Sequence, residues 1–147
     1  MLYPFCSVLE LARLSKKWNK DCFVSIGGPH ATLDPVNSLK RNECIDFAFR
    51  YDSENTLPAS LDIIAKHNYR LANLVSDDDL AKVPSISYRN SLNEVKLTAA
   101  EMVTKDFSKY PKCDRTIFNM DWYKQNDPET VLMTARGCPG VCSFCAT

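Results

Sequence analysis

The chain has 147 residues, enough for one ordinary core, and its 45% hydrophobic and 24% charged content is that of a globular rather than a disordered protein. Eighteen basic residues balance eighteen acidic ones, so no global field draws nucleic acid or anionic lipid to it, and no nucleic-acid partner is expected. No apolar run reaches the length of a membrane span, and Met1–Cys6 lacks the basic and long apolar regions of a secretory signal, which points to a cytoplasmic protein without a membrane partner.

Val8, Leu11, Ala12, Leu14, Ser15 and Trp18 recur at helical spacing and predict an amphipathic helix ending near Asn19. The mostly apolar run Cys22–Ile26, closed by Gly27-Gly28-Pro29, predicts a buried strand and a tight loop. Asp34 and Pro35 are suited to the N-cap and first position of a short helix over 34–41. Ile45–Phe49 is a second apolar strand. It leads through Asp52-Ser53-Glu54 into a helix with Leu57, Leu61, Ile64 and Ala65 on one face and Pro58 in its first turn. This alternation predicts an α/β fold, with a parallel sheet covered by helices on both faces.

The pattern then changes. Ile86–Arg89 and Val95–Thr98 flank Asn90-Ser91-Leu92-Asn93 and predict an antiparallel hairpin. From Ala99 to Glu129 no periodicity is sustained, but Phe107, Tyr110, Ile117, Phe118, Trp122 and Tyr123 predict a packed connector rather than a free linker. Thr130–Thr134 reads as a further strand that delivers the chain into a cysteine loop.

Three of the seven cysteines, Cys138, Cys142 and Cys145, fall within eight residues as CxxxCxxC. Such a spacing suits a metal site better than a disulfide framework. Three thiolates on one short loop can each bind one iron of a cubane cluster and leave the fourth iron open to a small molecule. Gly137 and Gly140 permit the close backbone approach that a cluster loop needs, and Pro139 stiffens it. Zinc is the competing reading. Structural zinc takes four ligands, and the candidates for a fourth, Cys113 and His67, are distant in sequence and stand in no paired motif. Ordinary buried thiols are the other alternative.

The stretch Thr134–Cys145 resembles the first strand end and cluster loop of radical S-adenosylmethionine enzymes. Ile26-Gly27-Gly28-Pro29-His30-Ala31-Thr32 and Glu54-Asn55-Thr56-Leu57-Pro58 resemble the end of a cobalamin-binding domain, and Pro84–Arg89 resembles the hairpin that follows it. The order and spacing of these pieces is similar to that of cobalamin-dependent radical enzymes, over nearly the whole chain. The resemblance implies three regions. Residues 1–82 would be the C-terminal part of a Rossmann-like (flavodoxin-like) cobalamin-binding domain, 83–129 a hairpin and connector, and 130–147 the start of a radical S-adenosylmethionine barrel.

It also implies roles. Cys138, Cys142 and Cys145 would ligate a 4Fe–4S cluster, and S-adenosylmethionine would chelate its open iron. Reductive cleavage would then yield a deoxyadenosyl radical, for methyl transfer or for ring- or bond-forming chemistry on a small-molecule substrate. A flavodoxin or ferredoxin would supply the electron. Phe144 would lie beside the adenine; as a plain residue it is a core aromatic. Gly27 and Gly28 would line the nucleotide-tail site of cobalamin, or simply close a strand, and His30 would stand near that tail or in a surface turn.

Two departures bear on cobalamin: no DxHxxG motif is present, and Tyr51-Asp52-Ser53-Glu54 stands where a GEGE-like segment belongs. Glu54 reads equally as a first-turn carboxylate favoured by the helix dipole. A complete βα barrel needs roughly 250 residues, so the chain is expected to hold only the barrel's first strand and to be inactive alone. Two other readings remain: a small α/β binding module with a zinc-type cysteine knuckle, and a methylthiotransferase-like radical enzyme. Scattered single cysteines (Cys6, Cys22, Cys44 and Cys113) and balanced charge weigh against the last.

Overall fold

The computed structural model describes residues 2–68, 78–101, 106–110 and 112–127 and the single positions Glu129, Arg136, Gly140, Cys142 and Ser143. The chain divides into two compact units, residues 1–103 and 104–147.

The first unit is built on a sheet of four strands in the order β1 (Ser25–Ile26), β2 (Phe47–Phe49), β3 (Ile86–Arg89), β4 (Val95–Leu97). β1 and β2 run parallel, with Ser25 opposite Phe47. β3 then pairs antiparallel with β2, and β4 antiparallel with β3. The sheet is therefore mixed, which corrects the expectation of a purely parallel one. The hairpin set apart at residue 83 is hydrogen-bonded along β2, in the same sheet as the parallel pair.

Alternation along β2 sorts the core into two layers. Phe47 and Phe49 face one way, where they pack with Ile86, Tyr88 and the residues Ile63 and Ile64 of α4 (Thr56–Lys66). Ala48 faces the other way, into a cluster with Ile26, Ile45, Ala12 of α1 (Leu2–Trp18), Ala31 of α2 (Pro29–Leu33) and Leu39 of α3 (Pro35–Lys40). Helices thus cover both faces, as expected.

Two helices bury a different stripe from the one their apolar residues suggest. In α1 the inward side carries Phe5, Leu9, Ala12 and Lys16, spaced by three or four residues, whereas Val8, Leu11, Leu14 and Trp18 are exposed, Trp18 at 88%. In α4 the buried residues are Thr56, Ser60, Ile63 and Ile64, and Leu57 and Leu61 stay in solvent. Small polar groups lie inside because their hydrogen bonds stay local: the Ser60 hydroxyl donates to the Thr56 carbonyl at 2.8 Å.

Polar clamps join the layers. Arg89, on β3, donates to the carbonyls of Ile45 (2.6 Å), Asn42 (2.8 Å) and Leu39, and so satisfies acceptors at the end of α3. Asp34 precedes α3 as expected, but its carboxylate accepts from the Asn37 amide at 2.8 Å rather than from the helix backbone. The hairpin is organised by Asn90, whose side-chain oxygen accepts from the N–H groups of Leu92 (3.0 Å) and Glu94 (2.8 Å), while Asn93 takes a positive φ of 61°.

In the second unit, a 3-10 turn over Phe107–Lys109 is followed by α5 (Met120–Asn126), capped by the Asn119 side chain accepting from the Trp122 N–H at 3.0 Å. Of the aromatics expected to pack here, Tyr123 meets Phe118 and Trp122 edge-on, and Phe118, Trp122 and Tyr123 are 53%, 53% and 43% exposed. The strand expected at Thr130–Thr134 lies outside the described residues. No helix among the described residues is long and apolar enough to cross a membrane.

Candidate functional site

Two loops leave the carboxyl ends of the parallel strands β1 and β2, the position at which open α/β sheets bind ligands. The first runs through Gly27 and Gly28 into α2, with Pro29 at the start of the helix, where its missing N–H is harmless. Gly28 has φ +85° and open space around it, a conformation that a side chain resists. Gly27 differs: a Cβ there would meet the Phe49 Cβ at 3.9 Å, an ordinary contact.

The second loop begins at Arg50 and Tyr51, and Tyr51 takes φ 62°, uncommon outside glycine. Thr32 ties the two loops together. Its hydroxyl donates to the Gly28 carbonyl at 3.2 Å and accepts from the Tyr51 N–H at 2.9 Å.

Beside the first loop is a cleft of about 390 Å³, lined among others by Phe5, Val8, Ser25, Ile26, Gly27 and His30. Its lining is mainly apolar, with His30 and Ser25 as its polar side chains. The rings of Phe5 and His30 lie 3.8 Å apart at 37°, so α1 and α2 meet across one wall. The sequence reading picked out Gly27, Gly28 and His30 but missed Phe5 and Thr32. Thr32 closes the stretch Ile26–Thr32 with no role assigned to it there, and no motif marks Phe5; they join the site because the first helix returns over the end of β1 and because α2 turns Thr32 towards Tyr51.

A second groove, of about 370 Å³, lies at the opposite, amino ends of the strands among Arg13, Lys16, Lys20, Glu43, Cys44 and Asp46. Within it Lys16 pairs with Asp46 at 2.7 Å.

Of the cysteine triplet, Cys142 is described, and it is exposed with a free thiol next to Ser143 in a turn. Cys138, Cys145 and Phe144 lie outside the described residues. Among the described residues no group of three His, Cys, Asp or Glu side chains converges as a metal site. Of the two candidates for a fourth zinc ligand, His67 is half-buried at the end of α4 and Cys113 is an exposed free thiol in the second unit.

No protein-family profile matches the chain. It is 28% identical over 138 residues, 93% of its length, to an uncharacterized methyltransferase of Pyrococcus horikoshii. The chain spans 28% of that protein, little more than a quarter of it.

Proposed function

We propose that this chain is a portion of a cobalamin-type radical S-adenosylmethionine enzyme that carries out methyl transfer. The CxxxCxxC spacing of Cys138, Cys142 and Cys145 carries the reading. The likeness to a protein named as a methyltransferase supports the reaction class, and the α/β fold with helices on both faces of its sheet agrees with a Rossmann-like domain ahead of the cluster loop.

The residues present fit the groups implied. The exposed, unbridged thiol of Cys142 is available to a metal, and Cys138 and Cys145 supply the same soft donor for iron. A 4Fe–4S cluster with S-adenosylmethionine at its open iron supplies one-electron cleavage of the sulfonium. Cys138, Cys142 and Cys145 would hold that cluster through their thiolates, and Phe144 would serve the adenine of S-adenosylmethionine. In the first unit the cleft at Gly27 and His30 is mainly apolar, suited to the uncharged ring of a nucleotide tail, and Gly28, at a φ that disfavours a side chain, adds no bulk to the loop beside it. The reductant is a flavodoxin- or ferredoxin-type protein, and the methyl acceptor is a small molecule.

Anaerobic reconstitution with iron and sulfide tests this, with electron paramagnetic resonance of the reduced sample before and after adding S-adenosylmethionine. The expected result is a reduced-cluster signal that changes with S-adenosylmethionine and is lost in Cys142→Ala. Stoichiometric zinc in place of a cluster would overturn the reading.

A further inference from the structure

Among the described residues no carboxylate pairs with Arg50. It is 8% exposed and follows β2 directly, its N–H donating to the Ser85 carbonyl at 2.8 Å. Strand alternation, continued one residue past Phe49, puts its side chain on the same sheet face as Ala48, the face covered by α1 to α3. Its Nη2 donates to the carbonyl of Thr98, which lies beyond β3 and donates its own N–H to Ile86. The guanidinium therefore lies across β3.

On that strand Ser87 pairs in register with Ala48 and faces the same way, because Ile86 and Tyr88 point into the opposite cluster. Arg50 opposite Ser85 makes Ser87 its diagonal cross-strand neighbour, within reach of a long side chain. Ser87 is fully buried. Among the described residues neither Arg50 Nε nor Ser87 Oγ has a hydrogen-bond partner, and no carboxylate pairs with Arg50. The guanidinium also lies over the Tyr51 ring, 5.9 Å from Cζ to centroid.

A guanidinium keeps its charge at any pH a protein survives and can only donate. A buried charge with no counter-charge is strongly unfavourable, and a buried hydroxyl left unmatched adds to that. An acceptor that reached both Nε and Oγ would satisfy the two unmatched groups together. Water would meet the hydrogen-bonding need and leave the charge; an anion meets both. The burial of both groups restricts the anion to a small one.

We propose that Arg50 and Ser87 hold a monovalent, halide-sized anion inside the sheet layer, at the carboxyl end of β2. The site is distinct from the cleft at Gly27 and from the cysteine loop, and it anchors the second of the two loops that leave the parallel strands.

Thermal unfolding of the full chain in potassium chloride and in potassium methanesulfonate, at equal ionic strength, tests the proposal. The expected result is a higher, saturable Tm in chloride. In Ser87→Ala the apparent halide affinity should fall about tenfold, the loss of one charge-assisted hydrogen bond. A wild-type Tm that is the same in both salts would overturn the proposal. Crystals grown in bromide give a readout that needs no variant. An anomalous peak within hydrogen-bond reach of Arg50 Nε and Ser87 Oγ supports the site. A water there, or a carboxylate of the chain itself, refutes it.

Discussion

Asp46 Oδ2 stands 2.7 Å from Lys16 Nζ, with the two side chains 6% and 17% exposed. The same carboxylate oxygen accepts from the Val24 N–H at 2.7 Å, and Lys16 Nζ also donates to the Cys22 carbonyl at 2.6 Å. One ion pair therefore joins α1 to the two segments that enter the parallel strands. Asp46→Ala is expected to destabilise the first unit by about 3 kcal/mol, because it strands a half-buried ammonium and a backbone donor. Chemical unfolding of the two proteins side by side checks the value.

The pH dependence of that pair has a definite sign. Burial raises the Asp46 carboxyl above its ordinary 3.8, and the hydrogen bonds from Lys16 and Val24 and the charges of Lys16 and Arg89 only partly offset this. A raised acid favours folding most where it is protonated in both states, below 3.8, and that contribution is lost as pH rises through the folded-state value. The stability difference between wild type and Asp46→Asn should therefore be largest below 3.8 and shrink as pH rises through the raised folded-state value. A difference that grows with pH would show that the ammonium outweighs burial.

Arg89 is expected to be the least replaceable residue of the hairpin. Its guanidinium reaches three carbonyls around the end of α3, a fork that a lysine cannot copy. Arg89→Met should lower stability by about 2–4 kcal/mol, and Arg89→Lys should recover less than half of that. Thermal unfolding of the pair, referenced to wild type, separates loss of charge from loss of geometry.

The two adjacent glycines should behave differently. Gly28→Ala forces a side chain into φ +85° and is expected to cost about 1–2 kcal/mol. Gly27→Ala adds a Cβ at ordinary contact distance from Phe49 and should stay within about 0.5 kcal/mol of wild type. Equal losses at both positions would mean that packing, not backbone conformation, governs this loop.

The orientation of α1 also gives a test. Trp18→Arg and Leu14→Gln, both on the exposed side, should change stability by no more than about 0.5 kcal/mol. Ala12→Asp, at a position only 3% exposed, should unfold the first unit. The reverse ranking would place the helix the other way round.

Elements whose signals are local could be read from the residues alone. Asn90 and Asn93 mark the hairpin turn because their side chains and tolerance of positive φ act within four residues. Pro58 marks the first turn of α4 and Pro35 starts α3 for the same reason, and the CxxxCxxC spacing is itself a local statement about three donors. What a residue faces is a different matter. Leu11, Leu14 and Trp18 carry more apolar surface than Phe5, Leu9 and Ala12, yet the smaller set lies inside, because α1 must fit against Ile26 and Ala31 while Lys16 reaches Asp46. Likewise nothing in Ile86–Arg89 states that this strand will pair with β2 rather than stand apart. That pairing depends on Phe47 and Phe49 meeting Ile86 and Tyr88 on one face while Arg89 closes the end of α3 on the other. Hydrophobic periodicity proposes which elements form; the direction in which each one packs, and the burial of Asp46, Arg50 and Ser87, come only from contacts between segments that are remote along the chain.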